Sequence, residues 1–297
     1  MRGLMEVGRH AVPTVRSITD PETLGLCEEL QIRIWGMSDR EVVPLHQLVA
    51  AVSAGGAVLG AFAPDGALLG FAYAIPAIYA GAPAWHSHMT GVLPEHQGTG
   101  LGFKLKCAQR EAALAEGIEH IVWTYDPLQA GNARFNLGRL GALARRYHID
   151  YYGVLKDAIN RGLPTDRFEV DWFLRSPRVT ARLAGTPRPP LDPGLTWALE
   201  SDGSVSSPVP GVPRLDLHDA RILVEIPPNL ARLKADDPGT ARRWRESTRM
   251  VFRRYFARGY AAVDAAAIPG PRDARMGYML ERADRLAKGD RGEDRTG

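Results

Sequence analysis

Gly91-Val92-Leu93-Pro94-Glu95-His96-Gln97-Gly98-Thr99-Gly100-Leu101-Gly102 is the stretch on which the fold turns. It follows an extended segment, residues 85–92, and precedes a segment, residues 102–116, in which Leu105, Ala108, Ala112 and Ala115 recur at helical spacing. Gly117 is placed to end that helix. A strand therefore feeds a helix through a glycine-rich turn. Glycines at 98, 100 and 102 allow tight turning and leave backbone N–H groups uncovered, while the helix points the positive end of its dipole into the loop. Such a loop suits phosphates. Close packing of a strand on a helix would also use glycines, so the surrounding elements have to decide.

No Gly-Lys-Ser/Thr ends the run, so it is not a Walker loop. A dinucleotide fold places its glycines in the first strand-helix unit, with an acid at the end of the next strand about 20 residues on. Here the turn comes late, after an antiparallel-looking hairpin of residues 57–63 and 67–75 around Pro64-Asp65-Gly66. Asp126 does follow at a comparable distance, which keeps that alternative open. Upstream, residues 14–19 read as a strand. Asp20-Pro21-Glu22 then supplies an N-cap, a proline at N1 and an early acid for a helix whose Leu26, Cys27, Leu30 and Ile34 share a face. A second helix is expected over Leu45–Ser53, and a short buried strand over residues 118–125.

Composition agrees with a folded globular chain: 297 residues, 45% hydrophobic and 24% charged. With 37 basic and 34 acidic residues the formal charge is only +3, which is no nucleic-acid signature. Cys27 and Cys107 are too few for a disulfide framework, and a reducing, cytoplasmic setting is expected. The N-terminus has no signal-like apolar run, since Glu6, Arg9 and His10 interrupt it. Residues 67–85 are uncharged throughout, but Gly70, Pro76, Gly81 and Pro83 favour a buried hairpin over a membrane span.

Gln97-x-x-Gly100-x-Gly102, with Val92-x-Pro94 before it and an amphipathic helix after it, resembles the acyl-CoA signature of the GCN5-related N-acetyltransferases, the GNAT superfamily. Residues 14–155 also resemble that family's element order, and the chain resembles uncharacterised two-part members of it. The resemblance implies an α/β fold with a mixed, mostly antiparallel sheet flanked by helices, and acetyl-CoA or another acyl-CoA as co-substrate. It assigns the CoA pyrophosphate to Gln97, Gly98, Thr99, Gly100, Leu101 and Gly102, and the pantetheine arm to Val92 and Leu93. Asn132, in Asn132-Ala133-Arg134-Phe135-Asn136, matches the asparagine that commonly touches that arm.

An amine must lose a proton before it attacks a thioester, so the reaction wants a base near neutral pKa. His86 and His88 are two apart on the expected strand, sharing a face with Thr90 and Val92. Their position resembles the His-x-His pair of the arylalkylamine N-acetyltransferases. The bland reading is one hydrogen-bonded and one surface histidine. Without a third ligand of matching spacing no metal site is expected. Asp126 is a candidate to orient the amine, or it is only the head of an Asp-Pro turn. Where many family members carry the acid tyrosine this chain has Arg139, which leaves Tyr125, Tyr147, Tyr151 and Tyr152 as substitutes. Asn136, Arg139 and Gly141 also occur in the two-part members and are read as shaping the substrate side, or as packing.

Residues 167–175, 221–226, 260–268 and 276–280 read as strands and residues 241–258 as a helix, with loop-like stretches at 185–196 and 201–213. The helix carries a stripe of Arg242, Arg245, Arg249 and Arg253 opposite Trp244, Thr248, Val251, Phe252, Tyr255 and Phe256. A solvated arginine face is the default expectation. Glu225-Ile226-Pro227-Pro228-Asn229 takes the place of a glycine turn, and its prolines remove N–H donors.

The expected organisation is an acyl-CoA-binding domain at residues 1–164 and a degenerate GNAT-like half at 165–297 with a frayed tail. The expected activity is N-acyl transfer from acyl-CoA to an amine of a small molecule, with no nucleic-acid or membrane partner. A catalytically silent acyl-CoA-binding or scaffold protein is the rival, and a CoA-thioester decarboxylase is more remote.

Overall fold

A computed structural model describes residues 12–153, 162–202, 208–269, 274–286 and 290. The reading of the N-terminus before residue 12 falls outside these residues, and so does most of the tail expected to fray beyond Glu281. The first part of that tail does not fray: a 3-10 turn at Ala283–Arg285 leads to Leu286, buried with Leu143, Ala261 and Val263. The chain divides into two compact units, Met1–Pro76 with Ser87–Glu116, and Ala77–His86 with Gly117–Gly297.

The first unit contains β1 (Thr14–Ser17), α1 (Pro21–Trp35), α2 (Leu45–Ser53), β2 (Ala57–Phe62), most of β3 (Leu68–Tyr79), the end of β4 (Ala82–Val92) and α3 (Leu101–Ala115). Asp20 caps α1 as its sequence implies, accepting from the Thr23 N–H at 2.8 Å. The expected hairpin forms, with Ala57 opposite Ala74, and the strand order is β1-β2-β3-β4. Alternation along the strands makes two apolar layers. Val58, Phe62, Phe71, Tyr73, Met89 and Leu93 pack with Leu24, Cys27 and Leu30 of α1 and Leu48 of α2. Leu59, Ala61, Leu69 and Val92 pack with Leu101 and Leu105 of α3. β3 and β4 approach closely: a Cβ on Gly70 would lie 2.6 Å from the Gly91 carbonyl oxygen.

In the second unit β5 (His120–Tyr125) lies parallel to the start of β4, Trp85 opposite Ile121 and His86 opposite Val122. After it come α4 (Ala130–Ala133), a widened helical turn (Arg134–Arg139), β6 (Leu143–His148), β7 (Arg167–Phe173) and α5 (Pro177–Leu183). Next are β8 (Thr196–Leu199), the two-residue β9 (Ser201–Asp202) and β10 (Val209–Pro210), β11 (Arg221–Ile226), α6 (Leu230–Asp236), α7 (Pro238–Phe256), β12 (Tyr260–Ile268) and β13 (Arg275–Arg282). From β5 onward the order is β5-β7-β6-β12-β13-β11-β8. Its neighbours are antiparallel except β11 and β8. Phe252 of α7 packs edge-on to Phe168 of β7 and Tyr278 of β13, with ring centroids 4.6 and 5.3 Å apart.

The architecture is the mixed, mostly antiparallel α/β arrangement expected, and the elements from β1 to β6 run in the order the resemblance implies over residues 14–155. The placement of β7 differs. Read as opening a second half, it inserts between β5 and β6, with Val122 opposite Asp171 and Tyr147 opposite Phe168. A boundary at 164/165 therefore severs β7 from both strands it pairs with. No helix among the described residues is long and apolar enough to cross a membrane, and the uncharged run 67–85 lies largely in β3 and β4.

Candidate functional site

The turn between β4 and α3 is tied down by its own short bonds. Leu93 donates its N–H to the Leu69 carbonyl at 2.9 Å as the strand ends. A single 3-10 turn, Pro94–His96, follows. The Gln97 side chain reaches back and donates to the Val92 carbonyl at 3.0 Å, and the Thr99 hydroxyl donates to the His96 carbonyl at 2.7 Å. Gly98 and Gly100 have φ of 77° and 89°, a region that L side chains avoid, and Gly100 sits at the N-cap of α3. A Cβ on either would meet no atom within 4 Å, so the space above the turn is open.

The helix start is bare. Asp20, Ser176, Asn229 and Asp237 each cap a helix with a side chain, and Glu28 accepts from the first N–H of α2. At α3 no side chain does so, and its first turn holds no acid. First-turn N–H groups and a positive dipole end aimed at open space are what a phosphate or pyrophosphate requires. By contrast, Asn229 accepts from the Arg232 N–H at 2.9 Å, which closes the helix start after the 225–229 turn.

Val92 faces α3 as part of the apolar layer there. The Ser87 hydroxyl also points to α3, 3.0 Å from Gln109 Oε1. Side chains an odd number of positions apart cannot share a face in regular alternation, so the period slips once between them. His88 consequently departs from the expected common face with Val92. Its ring stands edge-on to Tyr73, centroids 5.8 Å apart, on the side of α1 and α2. His88 is exposed, and partial desolvation of its ring by its neighbours lowers its pKa below the ordinary histidine value, so the neutral form predominates at pH 7. His86 is half-buried and belongs to the second unit.

Asp126 is committed elsewhere. Its two oxygens accept from Nη1 and Nη2 of Arg245 at 2.8 and 2.7 Å, and Oδ1 also takes the Leu128 N–H at 2.9 Å. Both residues are buried, so the expected amine-orienting role has no free oxygen to act through. The solvated arginine stripe is corrected with it. Arg245 is buried, and Arg249 donates to both oxygens of Asp166 at 2.8 and 2.9 Å, whereas Arg242 and Arg253 are exposed. Of the substitute acids, Tyr125 meets Tyr278 hydroxyl to hydroxyl at 3.2 Å and Tyr147 donates to Asp166 at 2.6 Å. Burial raises the pKa of both tyrosines. Tyr151, Tyr152, Asn132 and Arg139 are exposed, while Asn136 and Gly141 are buried.

Sequence reading missed a polar face within the second unit. Asp171 of β7 accepts from Arg146 at 2.7 Å and meets His120 at 3.0 Å, while Glu169 meets Arg146 at 2.5 Å and His148 at 2.8 Å. The alternation Phe168-Glu169-Val170-Asp171-Trp172 was the available signal. These pairings hold both carboxyl pKa values below the ordinary range against the opposing effect of burial. No group of three metal-ligating side chains occurs among the described residues.

No family model and no curated protein matches the chain. Among solved structures it is similar to a GNAT-family protein from Desulfovibrio desulfuricans, with 18% identity, 55% of this chain and 99% of that chain covered, and a TM-score of 0.44. It is similar to Arabidopsis thaliana Naa50 in complex with a bisubstrate analogue, with 16% identity, coverage of 54% and 98%, and a TM-score of 0.43. A third is the IAA acetyltransferase from Bacillus cereus, with 16% identity, coverage of 54% and 97%, and a TM-score of 0.39. In the motif at residues 91–102 and in the element order from β1 to β6, the chain is similar to the GCN5-related N-acetyltransferases.

Proposed function

We propose that the chain is an acyl-CoA-dependent N-acyltransferase that moves an acetyl or other acyl group to an amine of a small molecule. The observation that carries the reading is the uncapped start of α3 under an open glycine turn. Bound acyl-CoA supplies the acyl group as a thioester. Backbone N–H groups from Gln97 to Gly102 hold the pyrophosphate, and the end of β4 at Val92 and Leu93 runs beside the pantetheine arm. His88, neutral at pH 7, accepts one proton from the acceptor's ammonium group. The freed nitrogen bonds to the acyl carbon as the carbon–sulfur bond breaks, and its surplus proton ends on the thiolate. Calorimetric titration with CoA, followed by thiol release from acetyl-CoA across a panel of amines, tests the reading.

A silent acyl-CoA-binding protein is the second reading. It is favoured by Arg139 at the usual acid position and by the paired state of the buried Tyr125 and the half-buried Tyr147. CoA binding without thiol release from any amine would select it.

A further inference from the structure

Helix α3 carries a buried cation behind the turn it begins. Lys106 and Gln109 occupy buried positions beside the apolar layer of Leu101 and Leu105, and Lys106 is only 2% exposed. The Lys106 amine lies 3.1 Å from the Ser87 hydroxyl and 2.6 Å from Gln109 Oε1, and Ser87 and Gln109 are 3.0 Å apart. The three close a triangle between α3 and β4. An uncharged amine has two N–H groups, enough to donate to both neighbours, so the triangle is satisfied without the third proton. Full burial pulls the Lys106 pKa down to about 7, so both protonation states are accessible near neutral pH.

Lys106 lies five residues into the helix from Leu101, a rise of ~7.5 Å from the bare N–H groups. Leu101 and Leu105, on that stretch of α3, belong to a buried apolar layer, beside which attraction is stronger than in water. We propose that Lys106 couples proton binding to occupation of the turn, its ammonium form strengthening the hold of the turn on a pyrophosphate. The inference rests on the CoA assignment of the turn given under Proposed function. Attraction across ~10 Å at an effective dielectric near 20 corresponds to roughly tenfold in affinity per phosphate charge. By linkage, a pyrophosphate at the turn makes Lys106 harder to deprotonate, so binding takes up a proton. Affinity therefore falls as pH rises through the Lys106 range.

Other charged groups around α3 are few. The turn contributes His96 and Glu95, the latter ion-paired with Arg33 of α1 at 2.8 Å. β1 contributes Arg16, β2 contributes none, β4 contributes His88 on its opposite face, and α3 itself carries the exposed Lys104 and Glu111 and the half-buried Arg110. His88 and His96 are the histidines among these groups.

The experiment is calorimetry with 3′-dephospho-CoA, which lacks the titrating 3′-phosphate, at pH 6 and 8.5 in buffers of differing ionisation enthalpy. Wild type should bind three- to tenfold more tightly at pH 6, with proton uptake near pH 7.5. Lys106→Met should bind with no such slope and no uptake, whereas His88→Gln and His96→Gln should keep both. NMR titration of the lysine side chains of the wild-type protein, with and without 3′-dephospho-CoA, gives the same answer without a variant: one buried lysine should shift its midpoint upward. An unaltered slope in Lys106→Met, or its loss in either histidine variant, would overturn the inference while leaving the CoA reading intact. Absence of binding by wild type at both pH values would overturn the CoA reading and the inference together.

Discussion

Arg245 and Asp126 form a two-point ion pair in which each terminal guanidinium nitrogen meets one carboxylate oxygen, at 2.8 and 2.7 Å, with both side chains almost entirely out of water. Two charges removed from water gain little net stability from each other, but either one left alone is costly. Arg245→Met should therefore lower stability by about 3–5 kcal/mol, read as a shift in the urea midpoint. Adding Asp126→Leu to that variant should restore most of the loss. A double variant as unstable as the single one would show that the pair is not what the site depends on.

The same pair marks where sequence reading stops. Local signals served well: α2, β11 and β12 lie where periodicity places them, and Asp20 caps α1. The glycine turn was legible because its geometry depends on a dozen consecutive residues. Arg245 looked solvated because its partner is 119 positions away, and nothing in the helix reports that distance. β7 was given to the wrong half for a related reason. Strand order is set by pairing across the chain, and a strand that inserts between two earlier ones leaves no local trace. β6, Leu143-Ala144-Arg145-Arg146-Tyr147-His148, was missed because its polar residues interrupt alternation, and a register shift between Ala144 and Arg146 breaks it further. The face of His88 was misjudged through a similar slip in β4.

The buried Lys106 should also be visible in the stability of the protein without ligand. Its folded pKa is about 7 against an ordinary lysine value of 10.5. Between those pH values the unfolded chain holds a proton that the folded chain lacks, so stability rises with pH across that window. Below pH about 7 both states are protonated and the penalty of the buried charge is fully present. Lys106→Met removes it: the variant should be more stable at pH 6 by on the order of 2–4 kcal/mol. Its advantage should shrink towards pH 10. Parallel urea titrations of the two proteins at pH 6, 8 and 10 read the difference directly, and a constant gap would contradict the assignment.

The two thiols should differ sharply in reactivity. Cys27 is fully buried against α2 and the strands, and burial pushes its pKa up to about 12. Cys107 is only partly buried on α3. Iodoacetamide at pH 7.5 should alkylate Cys107 in the folded protein and reach Cys27 only after denaturant is added, as followed by intact mass and peptide mapping. Labelling of Cys27 at an equal rate would mean that the layer between the strands and α1 opens readily.

If His88 accepts the acceptor's proton, His88→Gln should lower kcat at neutral pH by ~10² while CoA affinity barely moves. Because partial desolvation depresses its pKa, the limb of the wild-type pH profile should lie below the ordinary histidine range. The deficit should narrow as pH rises and free amine becomes abundant. A variant with the wild-type profile would make His88 a packing partner of Tyr73 and nothing more.

The glycine turn itself gives the most direct test. Gly100 has φ of 89°, so most side chains there strain the backbone, and a loss of CoA binding in an arbitrary variant would be ambiguous. Asn and Asp both tolerate left-handed backbone and are nearly equal in size, which makes them a matched pair. Either would project into the open space above the turn, since no atom lies within 4 Å of the added Cβ. Only Asp adds a negative charge there. Gly100→Asn should weaken CoA by about tenfold, ~1.4 kcal/mol, through steric intrusion. Gly100→Asp should weaken it by a further factor of about ten, and that additional factor should fade in 1 M salt as the charges are screened. Thermal midpoints should show both variants folded, with Gly100→Asp slightly the more stable because its carboxylate meets the positive end of the α3 dipole. One CoA per chain should bind wild type at saturation, because Asn229 already occupies the helix start after the 225–229 turn. Equal affinities for Asn, Asp and wild type would remove pyrophosphate from the turn, and a stoichiometry of two would give the second turn a role its prolines and cap argue against.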